Sequence, residues 1–331
     1  MTGFRPGEHV WWKTTESSVL RGTVREAAER PGVQPDGETD LLYLDADQLN
    51  RVIPEDDGVY SGISDIDYHA DHLSLSSSGA RALIPPSAPA IFEFNRRQPP
   101  NPKPEYDFGH AAHKYVLGEG SVIVEVDADN WRGAEACTAR EEAWAADKVP
   151  LLTKDIAKAK AMADAAYAHP VLRQLLRAPD GAPELSGYWH DPETRVRLRY
   201  RTDWLCQIGG RIVGLDYKTT TTADPGHCAK SAAEYGYHMQ EAWYLDGLAA
   251  TEVSDDPDFL LAFQSKKPPF LVSVIRIRPH HIDLGRRRNR LAINIYRECT
   301  ETGVWPGYGD HIHEIDLPPY AVFRQEQELS A

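Results

Sequence analysis

The stretch TRVRLRYRTDWLCQIGGRIVGLDYKTTTT, residues 194–222, constrains the fold more than any other part of this chain. Two runs rich in Val, Leu, Ile, Tyr and Trp, 195–208 and 211–218, flank Gly209-Gly210. A two-residue hairpin turn needs positive φ at both central positions, which glycine adopts freely. The turn predicts a register in which Ile208 faces Arg211, so that Asp203 falls opposite Asp216 and Arg201 opposite Lys218. Alternation puts Arg195, Arg197, Arg199, Arg201 and Asp203 on one face, with Gly214, Asp216 and Lys218 on the same face of the partner strand. Carboxylates opposed at roughly 5 Å between Cβ atoms repel unless a cation lies between them. Oxygen donors suit a hard ion such as Mg²⁺, and Lys218 points into the same site.

Other segments converge on this hairpin. Residues 184–190 read as a strand and DPET at 191–194 as a type I turn, which predicts His190 facing Arg195 and Glu184 facing Arg201. That parity makes Glu184 a third carboxylate on the acidic face. YDFGHAAHKYVL, 106–117, reads as a helix with Gly109 and His113 on one side, the glycine admitting a close neighbour. A helix over 229–250 carries a stripe of Tyr237, Gln240, Tyr244 and Leu248, and a glutamine amid such a stripe suits a polar site better than a core. Ala-rich packing helices are expected at 131–147 and 153–168, with a short one after Pro170. LSLSSSGARALI offers serine caps to a short helix, and RRQPPNPKPE, 96–105, is a proline-rich loop. After strands in FLLAFQ and FLVSVIRIR comes a basic helix with Arg286, Arg287, Arg288 and Arg290, either a solvated face or phosphate contacts.

Residues 1–58 read as a small SH3-like β domain with Trp11 or Trp12 in its core, and residues 59–331 as one larger α/β unit. The net charge of −14, from 36 basic and 50 acidic residues, argues against a protein that coats nucleic acid but leaves room for a local basic groove. No apolar run reaches membrane-span length, no signal-peptide core opens the chain, and Cys137, Cys206, Cys228 and Cys299 follow no zinc, iron–sulfur or disulfide spacing. A reducing cytoplasm is expected. His280-His281 and His311-Ile-His313 lack a third ligand for zinc, and no GxxxxGK[ST] motif supports ATP-driven unwinding.

A helix, three meandering strands through an acidic site, a helix and two more strands is the order of the PD-(D/E)xK nuclease core. RTDW at 201–204, LDYKTT at 215–220, Gln240-x-x-x-Tyr244, FGHAAHKYVL and LSLSSSGARAL together resemble the RecE-type exonucleases (exonuclease VIII-like) of phages and prophages. The resemblance spans about residues 68–297. It implies a restriction-endonuclease-like mixed sheet flanked by helices, and metal ligands Asp203 and Asp216, with His113 and Glu184 assisting. It further implies that Lys218 orients or activates the attacking water and offsets charge on the scissile phosphate, and that Gln240 and Tyr244 hold the lysine region or the DNA backbone. Ser76, Ser77, Ser78, Arg81, Arg199, Arg201, Thr219, Arg286 and Arg287 become candidate DNA contacts. The implied activity is Mg²⁺-dependent (Mn²⁺ in its place) 5′→3′ digestion of double-stranded DNA ends. The implied setting is a homo-oligomeric ring in a bacterial host, working with a RecT-like single-strand annealing protein. A RecB-like or CRISPR-adaptation nuclease lacks support without its four-cysteine cluster, and an inactive DNA-binding subunit would not need the opposed carboxylates.

Overall fold

The computed structural model describes residues 4, 6–14, 19–98, 104–146 and 148–330, so positions 99–103 of the proline-rich loop lie outside the described residues. A small sheet comes first: β1 (His9–Lys13), β2 (Val19–Glu26), β3 (Gly32–Pro35), β4 (Leu42–Tyr43) and β5 (Asn50–Arg51), in the order β4-β3-β2-β1-β5. Alternation along β1 buries Val10 and Trp12 against Val24, Val33 and Leu49, while Trp11 is half-buried on the other side.

The chain then enters a larger body through β6 (Gly58–Tyr60), α1 (Asp65–Ala70), β7 (Leu75–Ser76), α2 (Ser77–Ala82), α3 (Pro89–Arg96) and α4 (Pro104–Leu117). An insertion follows, in which β8 (Ile123–Val126) and β9 (Val149–Leu152) pair in parallel around α5 (Ala134–Ala145). Next come α6 (Thr153–Ala168), α7 (Pro170–Leu176), β10 (Ala182–His190), β11 (Arg197–Ile208), β12 (Arg211–Thr220), α8 (Pro225–Glu234) and α9 (Tyr237–Ala250). β13 (Asp258–Ser265), β14 (Val272–Ile275), α10 (Pro279–Thr302) and α11 (Pro319–Leu329) complete the chain. The main sheet is mixed, in the order β14-β13-β12-β11-β10-β6 with β7 against β11; β12 runs parallel to β13 and antiparallel to β11. Helices α2, α9 and α10 cover one face, α4, α6 and α7 the other.

One helix was expected over 229–250, but Gly236 at φ +66° breaks it into α8 and α9. Helix α9 is then buried on nearly every side, from Met239 to Leu248. No helix among the described residues is long and apolar enough to cross a membrane.

The hairpin register holds from Ile208↔Arg211 to Trp204↔Leu215, with Gly209 at φ +59° and Gly210 at +83°. There the ladder stops, one pair short of Asp203 and Asp216. Further along, β11 pairs with β7 at Leu198 and Arg199 instead, so the two hairpin strands part at residues 200–203. Side-chain alternation also slips. Leu198 and Tyr200 pack with α9, whereas Trp204 and Cys206 pack with α4, α6 and α7, although an uninterrupted strand would put all four on one face. The neighbouring strand is interrupted at the same level. Glu184, at φ +53°, lies unpaired between Pro183↔Trp204 and Leu185↔Thr202.

The β10–β11 loop is longer than the four residues expected. Asp191 accepts hydrogen bonds from Thr194 N–H and Oγ1–H, and its own N–H donates to Val196 O, which stretches the loop to 191–196. His190 therefore faces Arg197, and Arg201 faces Ser186 instead of Glu184. Arg195 leaves the arginine row and sits in the loop at φ +60°. A two-residue shift preserves parity, so Glu184 still reaches the acidic side.

Helices α9 and α10 touch backbone to backbone at Gly285, where an added Cβ would lie 2.2 Å from His238 O. Gly285→Ala is expected to destabilise the protein by about 2–3 kcal/mol, the upper end for overpacking. Urea unfolding should show a lower midpoint with an unchanged m-value.

Candidate active site

The parting of β11 from β12 creates the site. In a continued ladder the next hydrogen-bonded pair would be Thr202 with Tyr217, since such pairs alternate from Ile208↔Arg211. Instead the Tyr217 N–H donates to Asp203 Oδ2 at 2.7 Å. The Asp203 carboxylate thus replaces a lost backbone acceptor and is held by the strand it has separated from.

Around it, single ligand atoms of His113, Glu184 and Asp203 lie within 4.8 Å of one another. His113 Nδ1 is 3.6 Å from Asp203 Oδ2, and its ring stands edge-on to Tyr217, 5.2 Å between centroids. Burial, and then the Lys218 cation, push the imidazole down to about 4, so His113 is neutral at pH 7 and able to ligate a metal. Glu184 is raised to about 8 by burial and then by the charge of Asp203. Asp203 is likewise raised to about 8, by burial and then by Asp216.

Asp216 is held differently. It is almost wholly buried, its Oδ2 lies 2.5 Å from Lys218 Nζ, and its Oδ1 accepts from Gln240 Nε2 at 2.8 Å. Gln240 also donates to Tyr244 Oη at 3.1 Å. Burial pulls Lys218 down, but Asp216 and Asp203 more than offset it and leave the amine above its ordinary value. Lys218 is therefore held as an ammonium ion at neutral pH. That charge state suits the offsetting of phosphate charge that the resemblance implied. Gln240 and Tyr244 are both buried: Gln240 binds Asp216, the partner of Lys218, and Tyr244 accepts from Gln240. Tyr237 was seen in the sequence as a member of the Gln240 stripe but not as a site residue. It lies under Lys218, whose Nζ is 4.8 Å from the ring centroid; its signal was its position three residues before Gln240 on one helix.

The donor set fits a hard divalent cation. Two carboxylates and a neutral imidazole converge, and burial first, then neighbouring negative charge, holds both carboxyl groups well above the usual carboxylate range. Gly109, expected to admit a neighbouring element, faces open space: a Cβ there would meet nothing within 4 Å.

The proposed DNA contacts are brought together only in part. Arg199 is buried, pairs with Asp71 at 3.0 Å and lies over the Tyr68 ring. Arg201 is buried over the same ring and donates to Ser186 Oγ and Ile63 O. Neither reaches solvent, because α1 and the segment after it close over this side of β11. Arg286 is spent on Asp246 and Asp283, and Arg290 on Asp191, leaving Arg287 exposed. Ser76 caps α2 through Gly79 N–H, Ser77 is buried, Ser78 is exposed, and Arg81 and Thr219 are half-buried.

With this geometry in view, the comparisons with known proteins carry weight. Residues 76–318 match the family described as a PDDEXK-like domain of unknown function (DUF3799). The chain belongs to that family. A crystal structure of a "Putative exonuclease" from Eubacterium rectale is similar in fold, with a TM-score of 0.51 and 12% identity over 80% of this chain and 98% of that one. No curated protein matches the chain by sequence. The fold is the α/β PD-(D/E)xK core, with the small N-terminal sheet lying before the matched residues.

Two outcomes are expected. A carboxyl group whose pKa is raised on folding loses stability as pH climbs from its unfolded toward its folded value. Above about pH 6.5, the ordinary value of His113, whose lowered pKa opposes the effect at lower pH, the metal-free protein should therefore lose melting temperature as pH rises to about 8. Glu184→Gln should flatten that fall, and Mg²⁺ should reverse it in the unmodified chain, as read by differential scanning fluorimetry. Separately, Gln240→Ala should weaken divalent-metal affinity about 10–100-fold, the usual loss when an orienting partner is removed, as measured by calorimetric titration.

Proposed function

We propose that this protein is a Mg²⁺-dependent exonuclease acting on double-stranded DNA ends, with Mn²⁺ able to replace Mg²⁺. The observation that supports it best is the convergence of His113, Glu184 and Asp203 beside the Asp216–Lys218 pair, inside a PDDEXK-like fold. Phosphodiester hydrolysis needs an activated water and relief of the charge that develops on the phosphoryl oxygens. A hard ion bound by these carboxylates lowers the pKa of its water and offsets that charge.

The chain's own groups supply the rest. Neutral His113, with Asp203 and Glu184 once a bound cation displaces their protons, would offer ligand atoms on one side of the site. Asp216, oriented by Gln240, whose amide also donates to Tyr244, offers another on the α9 side. Ammonium Lys218, seated on Tyr237, stands where a scissile phosphate drawn to the site would meet a positive charge. Exposed Ser78 and Arg287 and half-buried Arg81 and Thr219 are the candidates left to meet the DNA backbone.

The resemblance to RecE-type exonucleases supports the remainder of the proposal: 5′→3′ polarity, 3′ single-strand products, a homo-oligomeric ring, a RecT-like annealing partner, and work in a bacterial cytoplasm under phage or prophage control.

The test is digestion of end-labelled linear and covalently closed circular duplex, with and without Mg²⁺. Linear DNA should shorten from its 5′ ends only with the metal, and circles should survive. Asp216→Ala and Lys218→Ala should each lower the rate by about 100–1,000-fold or more, the usual loss for a group that stabilises transition-state charge. Circles cut as fast as linear DNA would sink the exonuclease reading, and full activity in both variants would sink the site.

A further inference from the structure

A cavity of about 440 Å³ lies beyond the site, off the ends of β12 and β13. Lys158 of α6, Lys266 and Lys267 after β13, Thr221 after β12, Phe108 of α4 and Trp131 of the insertion line it. Its size is that of an ordinary ligand site. The cavity adjoins the catalytic cluster through two elements. Thr221 lies three residues, about 10 Å at strand rise, past Lys218, and Phe108 sits five residues before His113 on α4.

The lining combines positive charge with aromatic faces. Among the described residues, no carboxylate lies within salt-bridge distance of Lys158, Lys266 or Lys267, and Lys158 Nζ rests over the Phe108 ring at 4.6 Å. Trp131 is braced: the Arg140 guanidinium lies 5.4 Å from its ring and 5.0 Å from that of Trp144. Trp144 Nε1 in turn donates to Asp107, which occupies one of the two acidic groups in the lining; the other, Asp155, belongs to the first turn of α6.

We infer that this cavity is a subsite for single-stranded DNA leading to or from the catalytic cluster, gripping phosphates with Lys266 and Lys267 and stacking a base on Trp131. Sequence-independent single-strand sites are built from this combination of a basic groove and aromatic platforms. The span of about 10 Å from Lys218 to Thr221 at strand rise places the subsite within a few nucleotides of the catalytic cluster. The inference rests on the nuclease reading for its purpose but not for its measurement.

The experiment uses the full chain in EDTA, so that hydrolysis plays no part. Anisotropy of a short fluorescein-labelled oligonucleotide and of its duplex is followed across a salt series. The double variant Lys266→Ala/Lys267→Ala should weaken single-strand binding and lower the slope of log affinity against log salt by about 1.4, at about 0.7 per phosphate contact. Trp131→Ala should weaken single-strand binding about tenfold with little change in slope, and Trp131→Phe, which keeps a stacking face, should retain most of the affinity. Unchanged affinity and slope in the lysine variant overturn the subsite. A Phe variant as weak as the Ala variant, or equal loss on duplex, overturns the stacking role. Absence of hydrolysis with Mg²⁺ while these effects persist would count against the nuclease reading alone.

Discussion

Repulsion between carboxylates that cannot move apart is the constraint on which this structure turns. Two unit charges about 5 Å apart in a medium of effective dielectric about 20 repel by roughly 3 kcal/mol, a large share of the 5–15 kcal/mol that stabilises a typical domain. The protein relieves the repulsion in three ways. Glu184 and Asp203 hold their protons to about pH 8, the Lys218 ammonium sits on Asp216, and a backbone N–H is surrendered to Asp203. Each relief is incomplete in a way that a divalent cation would complete.

The backbone irregularities follow from this constraint. Regular β pairing through residues 200–203 would return the Tyr217 N–H to a carbonyl and leave Asp203 without its donor. The strands part instead, β11 takes β7 as its partner, and the side-chain alternation slips by one across the gap. Glu184 adopts a left-handed φ at the same level of β10. Irregularities in two adjacent strands at one level are what a site needs if Glu184 and Asp203 are to converge on His113.

What the sequence made legible was local. The Gly209-Gly210 turn set the register over five pairs, and the spacing of Gln240 and Tyr244 put both on one side of α9, where they bond each other. The slip was not legible, because it answers to the cores on either face of the sheet and not to neighbours in the chain. The arginine row shows the same limit. Arg199 and Arg201 look like a phosphate-binding strip in a one-dimensional reading. Their partners, Asp71, Tyr68 and Ile63, are more than 120 positions away, and burial turns the strip into internal ion pairs and cation–π stacks. Glu184 was placed on the acidic side from a loop two residues too short, and parity rescued it.

The two central carboxylates are held by different parts of the molecule, and this sets how the site responds to packing. Asp203 is fixed by the backbone of β12, whereas Asp216 is fixed by Gln240 on α9. Helix α9 is seated from both sides: the Trp243 Nε1–H donates to Arg199 O on β11, and Asn289 Nδ2 on α10 donates to Met239 O. At Gly285 the α10 backbone meets His238 with no room for a Cβ. The orientation of Asp216 relative to Asp203 therefore depends on how closely α10 presses α9 onto the sheet, not on the hairpin ladder that first suggested the pair. A change at the α9–α10 contact would reach the acidic cluster through one rigid helix, with no intervening loop to absorb it.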